Sequence, residues 1–135
     1  MNKYNAKKTQ IDRIWFDSKA ESLRYLLLKD RQRKGEISQL CLQPMFWLIV
    51  DGVIVGTYTP DFGFTENLRA VVDDTKGGYR QEAFALRAKL FMALYPDIEL
   101  RVNGVALKRP KPPEQARVAV NAGKKNRRSE NVRAL

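Results

Sequence analysis

The chain has 135 residues, 44% of them hydrophobic, and carries 25 Lys and Arg against 15 Asp and Glu, a formal charge of +10. That is material for one compact domain, and the charge excess favours a polyanionic partner, nucleic acid first and an anionic membrane surface second. Histidine is absent and Cys41 is the single cysteine, which excludes Ser-His-Asp triads, histidine-ligated zinc, imidazole general bases, thiolate metal cages and a disulfide within the chain.

Any hydrolysis must then run on carboxylates, lysine and a hard cation. No run approaches the roughly eighteen apolar residues that span a bilayer. The opening MNKYNAKKTQ lacks the apolar centre of a secretory signal. A soluble, cytoplasmic protein with no membrane association is expected.

In chain order, residues 1–12 read as a polar, flexible N-terminus, residues 13–107 as the folded core, and residues 108–135 as a basic, mobile tail. FDSKAESLRYLLLKDRQRKGE predicts a helix: Ser18 and Glu21 have capping-box spacing, and Gly35 reads as the stop. Phe16, Ala20, Leu23, Leu26 and Leu27 supply its expected apolar stripe. ISQLCLQPMFWLIV and GVIVGTYTPDFGF then read as two strands joined by the hairpin signal Asp51-Gly52. A second turn at TENL leads into a third strand, RAVVDDTKG.

After Gly77-Gly78 the period becomes helical, with Phe84, Ala88, Phe91 and Tyr95 on one face, and Pro96 ends that helix. IELRV reads as one more strand. The predicted class is α/β, in the order α-β-β-β-α-β, with a central mixed sheet flanked by helices. From Lys108 the sequence has three prolines and nine basic against two acidic residues, a composition that packs poorly by itself.

VVDDTKGG is the unusual stretch. Strand alternation puts Asp74 and Lys76 on one face and Asp73 on the other, where it reads as a surface charge. A tight TENL turn would bring Asp61 alongside Asp74 on antiparallel neighbours. Two such carboxylates repel unless a cation lies between them, and magnesium or manganese suits oxygen ligands. A turn that serves only solubility is the alternative reading of the same residues. Other triplets of the kind, DSK at 17–19 and the PD at 96–97, lack the strand context.

TPDF, eleven residues, then DTK resembles the signature of the PD-(D/E)XK nucleases, and the predicted order resembles their restriction-endonuclease-like core. YNAKKTQID, FDSKAES, LQPMF, DTKGG and LFMALYPDIEL together resemble a small phage-encoded family of that superfamily, known mostly as a domain of unknown function. The resemblance implies metal-dependent hydrolysis of DNA phosphodiesters, with Asp61 and Asp74 as metal ligands, Lys76 as the motif lysine and Glu21 as a further acidic ligand. Glu21 is equally well explained as a helix cap. The chain departs from the pattern with Asp74, where glutamate is common, and with polar Thr75, where an apolar residue is usual.

A structure-selective endonuclease acting on branched or Holliday-junction DNA is the favoured subtype, in the host cytoplasm if phage-encoded, and a homodimer would suit cutting two strands. Lys19 and Arg24 on the first helix, Arg80, Arg87 and Lys89 on the second, and Lys124, Lys125, Arg127 and Arg128 in the tail are candidate phosphate contacts. Trp15 and Trp47 read as core, and Gln43 as a polar neighbour of the site. The rival readings are a noncatalytic nucleic-acid-binding protein on the same fold and a basic phage adaptor.

Overall fold

The computed structural model describes residues 7–76 and 82–114. A five-stranded mixed sheet lies at the centre, built from β3 (Ser38–Leu42), β6 (Phe62–Glu66), β7 (Arg69–Asp74), β8 (Glu99–Val102) and β9 (Val105–Ala106), hydrogen-bonded in the order β3-β6-β7-β8-β9. Only β7 and β8 run parallel, and α2 (Glu82–Leu94) falls between them in the chain. Two hairpins lie apart from this sheet, β1 (Thr9–Ile11) with β2 (Ile14–Phe16) and β4 (Phe46–Val50) with β5 (Val53–Tyr58). The remaining helix, α1, spans Lys19–Arg33.

The two long apolar runs do not form two strands. Each is interrupted at a proline, Pro44 between β3 and β4 and Pro60 between β5 and β6, because proline cannot donate to a ladder. β3 therefore pairs with β6, and the Asp51-Gly52 hairpin forms a separate two-stranded excursion. Three expected strands become five. β1, inside the stretch read as flexible, β2 and β9 add to them. All four hairpins close through two-residue turns with both residues at positive φ, at Asp12-Arg13, Asp51-Gly52, Asn67-Leu68 and Asn103-Gly104. That geometry matches the twist of the strands it joins.

The sheet has two apolar faces. Leu48, Tyr58, Val72, Leu100 and Val102 pack with Phe84, Ala88, Phe91 and Met92 of α2. Phe62, Phe64 and Val71 pack with Tyr25 and Leu28 of α1, Ile37 and Phe16 of β2. The expected stripe of α2 is present except that Met92 joins it, and Tyr95 lies past the helix end with its hydroxyl donating to Trp47 O at 2.8 Å.

α1 is capped as expected: Ser18 Oγ accepts from Glu21 N at 3.1 Å, and Gly35 follows the last turn with φ +77°. Its rotation differs from expectation. Ala20, Leu23, Leu26 and Leu27 face solvent, and the sheet side is formed by Arg24, Tyr25, Leu28, Arg31 and Gln32. Polar anchors set this rotation. Arg24 binds Asp73, Arg31 binds Glu66, Tyr25 donates to Asp12 at 2.9 Å, and Gln32 accepts from Leu40 N at 2.8 Å.

Asp73 is correspondingly not a surface charge but fully buried. Trp15 and Trp47 are exposed rather than core, since the inward positions beside them are taken by Phe16 and Leu48. The segment read as the start of the tail is also engaged. Arg109 donates to the carbonyls of Met92, Pro96 and Ile98 around the end of α2. No helix among the described residues is long and apolar enough to cross a membrane.

Candidate functional site

The turn at Asn67-Leu68 fixes the register of β6 against β7, with Phe62 opposite Asp73. Extending that register by one residue sets Asp61 opposite Asp74. Asp61 enters β6 behind buried Pro60, and its Oδ2 accepts from Thr75 N at 2.7 Å. Asp74 is buried at the last position of β7, where its Oδ2 accepts from Tyr58 OH at 2.8 Å and pairs with Lys76 Nζ at 3.3 Å. The ammonium of Lys76 also lies 4.6 Å from the centre of the Phe84 ring, a cation–π contact that fixes its direction. Asp74 and Lys76 thus share a face and Asp73 takes the other, as strand alternation requires.

The electrostatics of the pair follow from burial and proximity. Burial first, opposed by the Thr75 N–H and reinforced by the neighbouring Asp74 carboxyl, pushes the Asp61 carboxyl up to about 8. Glu21, in the first turn of α1, is also raised, by burial first and then by Asp17. It senses both Asp74 and Lys76, and it accepts from the Asp17 backbone N–H. Glu21 is therefore a first-turn acid that also faces the pair. Tyr58 is pushed up by burial and by Asp74, so it stays a donor.

On the opposite face, Arg24 Nε donates to Asp73 Oδ2 at 2.9 Å. Burial still raises the Asp73 carboxyl above its ordinary value. This guanidinium, expected among the phosphate contacts, is turned inward onto a buried acid. Lys19, Arg87 and Lys89 are exposed on their helices. Arg80, Lys124, Lys125, Arg127 and Arg128 lie outside the described residues.

Two contributors, Tyr58 and Asn103, were not among the residues expected at the site. Tyr58 gave no signal in its own stretch. Asn103, in the β8–β9 turn, accepts from Lys76 N at 3.1 Å and donates to Lys76 O at 2.9 Å, clamping the motif lysine from both sides. Its neighbour Gly104 does supply a signal, since Asn-Gly is a strong hairpin pair. Thr75, the polar middle residue of the triplet, has its hydroxyl buried with no hydrogen-bond partner among the described residues.

No three acidic or cysteine side chains among the described residues are gathered closely enough to hold a metal ion by themselves. The fit is instead to a cation that takes one or two carboxylates and keeps several waters, as magnesium does. The observation behind that fit is the donor set: Asp61 and Asp74 lie opposite each other at one end of β6 and β7, and two adjoining carboxylates ionise together at less cost when a positive charge lies beside both.

Fold and site define a mixed α/β protein with a central mixed sheet, two helices, and a carboxylate pair beside a lysine at one end of adjacent strands. The chain belongs to the family described as "Protein of unknown function (DUF1064)", whose model matches residues 1–110. No curated protein and no solved structure matches it.

Proposed function

We propose that the protein is a metal-dependent endonuclease of the PD-(D/E)XK type that hydrolyses DNA phosphodiesters, with branched or junction DNA as its favoured substrate. The observation that carries this reading is the meeting of Asp61, Asp74 and Lys76 at one end of β6 and β7, with Glu21 facing them from α1. The chain order gives further support. With the β4–β5 excursion set aside, α1, β3, β6, β7, α2 and β8 run helix, three strands, helix, strand.

Asp61 and Asp74 would hold magnesium or manganese, with Glu21 adding negative charge from the first turn of α1. Bound there, the ion would supply charge stabilisation at phosphoryl oxygens and would lower the pKa of a nearby water. The chain's own groups do the rest. Tyr58 fixes the Asp74 carboxylate by hydrogen bond. Asn103 and the Phe84 ring hold Lys76, whose ammonium can donate to the attacking water or meet charge developing on the phosphate. The exposed bases Lys19, Arg87 and Lys89 supply phosphate contacts that position the strand.

The test is nicking of plasmid, linear and four-way-junction DNA by purified protein with and without magnesium. Asp74→Ala and Lys76→Ala are expected to lose cleavage by at least about a hundredfold, the usual scale for removal of one electrostatic catalytic group, while junction binding in a gel-shift assay survives. Cleavage by both variants at the parent rate overturns the assignment. Binding without magnesium-dependent cleavage in the parent leaves a noncatalytic nucleic-acid-binding protein.

A further inference from the structure

Beside the carboxylate pair is a cleft of about 140 Å³ whose lining includes Trp15, Asp17, Glu21, Leu42, Gln43 and Asp61. Trp15 is 65% exposed. It faces away from the core because Phe16, its neighbour on β2, takes the inward position. Gln43 holds a left-handed backbone at φ +49° and is pinned there by donating its N–H to Asp61 O at 2.9 Å. A non-glycine residue in that conformation persists only where its surroundings hold it. The same hydrogen bond ties the cleft wall to the candidate metal-binding acid.

The lining chemistry selects what can enter. The carboxylates of Asp17 and Glu21 would repel a phosphate placed in the cleft without a cation, whereas an uncharged planar ring meets no such barrier. An open indole face attracts a π-system, and stacking of a base on an aromatic side chain contributes about 1–3 kcal/mol irrespective of sequence. Base amino groups donate to carboxylate or amide oxygens of the kind lining this cleft. In a duplex that ring is stacked and paired, so entry needs a strand that is already unpaired or readily splayed.

We propose that this cleft is a subsite for one unpaired nucleobase of the strand entering the site, stacked on Trp15, and that it is the source of selectivity for DNA with unpaired nucleotides. The proposal deepens the nuclease reading and rests on it for the identity of the strand.

The test reads binding rather than hydrolysis. The chain has two tryptophans, so the full-length Trp47→Phe variant, altered at an exposed hairpin position, has Trp15 as its single indole emitter. It is titrated at neutral pH without divalent metal, first with a short single-stranded DNA oligonucleotide and then with an abasic oligonucleotide of equal length, binding being followed in parallel by anisotropy. The base-bearing strand is expected to quench Trp15 emission and the abasic strand to leave it nearly unchanged. Trp15→Ala should weaken binding of the base-bearing strand by about 5- to 150-fold, the equivalent of the stacking free energy, and Trp15→Phe should restore most of it.

Absence of binding, binding without quench, equal quench by both strands, or an affinity untouched in Trp15→Ala each overturns the subsite. The two readings fail separately. Quench with no DNA hydrolysed under any metal removes the nuclease and leaves the base subsite, and hydrolysis without quench does the reverse.

Discussion

Replacing Asp61 by Asn tests the carboxylate pair without any assay of activity. Asn keeps the shape of Asp61, an oxygen able to accept from Thr75 N and an amide N–H able to face Asp74, but it does not titrate. In the folded parent the Asp61 carboxyl is raised from 3.8 to about 8. The unfolded chain therefore releases this proton near pH 4, while the folded chain keeps it until about 8. Stability from this group is complete below about 4, falls steadily as pH rises toward 8, and is level above that. At about 1.4 kcal/mol per pH unit the full effect would be roughly 5–6 kcal/mol. Asp61 is only partly buried, and solvent screening reduces the expected loss to on the order of 2–3 kcal/mol.

Asp61→Asn lacks that loss. Followed by circular dichroism without divalent metal, its melting temperature should draw level with or below the parent at pH 4.5 and rise relative to it with pH. The gain by pH 8.5 should be on the order of 10 °C for a domain of this size. Adding magnesium at pH 8 should stabilise the parent by mass action and leave the variant nearly unmoved. Parallel pH curves for the two proteins would refute the shared proton, and with it the physical ground for a cation between these acids.

Arg24→Met strands Asp73, which is fully buried. The expected cost is about 3–5 kcal/mol in urea denaturation at pH 8, shrinking at pH 5 where the acid can take up a proton; a loss under about 1 kcal/mol at pH 8 would show that Asp73 does not need its partner. Thr75→Val removes a buried hydroxyl without a partner among the described residues and should raise stability by on the order of 1 kcal/mol, so a destabilised variant would mean the hydroxyl is bonded. Deleting residues 115–135 spares the Arg109 hydrogen bonds but removes Lys124, Lys125, Arg127 and Arg128. For every phosphate these side chains neutralise, the deletion should flatten the log–log salt dependence of DNA binding by about 0.9, and an unchanged slope would clear them of a DNA role.

How far the sequence disclosed this arrangement depended on the kind of signal. Alternation in VVDD placed Asp73 and Asp74 on opposite faces, and the turn at residues 67–68 brought Asp61 to Asp74, because backbone register is a local property. The rotation of α1 was not legible. Leucine periodicity pointed to Leu23, Leu26 and Leu27, and the observed face is decided by Asp73 and Glu66, acids distant in sequence that take Arg24 and Arg31. The strand count differs for another reason, since Pro44 and Pro60 stand in view inside the two apolar runs and each marks a break that β-branched composition masks. Asn103-Gly104 is likewise a readable hairpin signal, and it announces β9.

The charged rotation of α1 has a consequence for the site. A helix seated by leucines could slide over the sheet by small repacking at little cost. Arg24 and Arg31 instead fasten α1 to β7 and β6 through ion pairs with Asp73 and Glu66, and Asp73 is the residue immediately before Asp74. The first turn of α1 carries Glu21 on the same sheet-facing stripe, one helical turn before Arg24 and Tyr25. The Arg24–Asp73 pair thus fastens the helix that carries Glu21 to the strand that ends in Asp74. A buried ion pair adds little net stability over a well-packed apolar pair, but the hydrogen-bond geometry of Arg24 on Asp73 holds α1 in one rotation over the sheet.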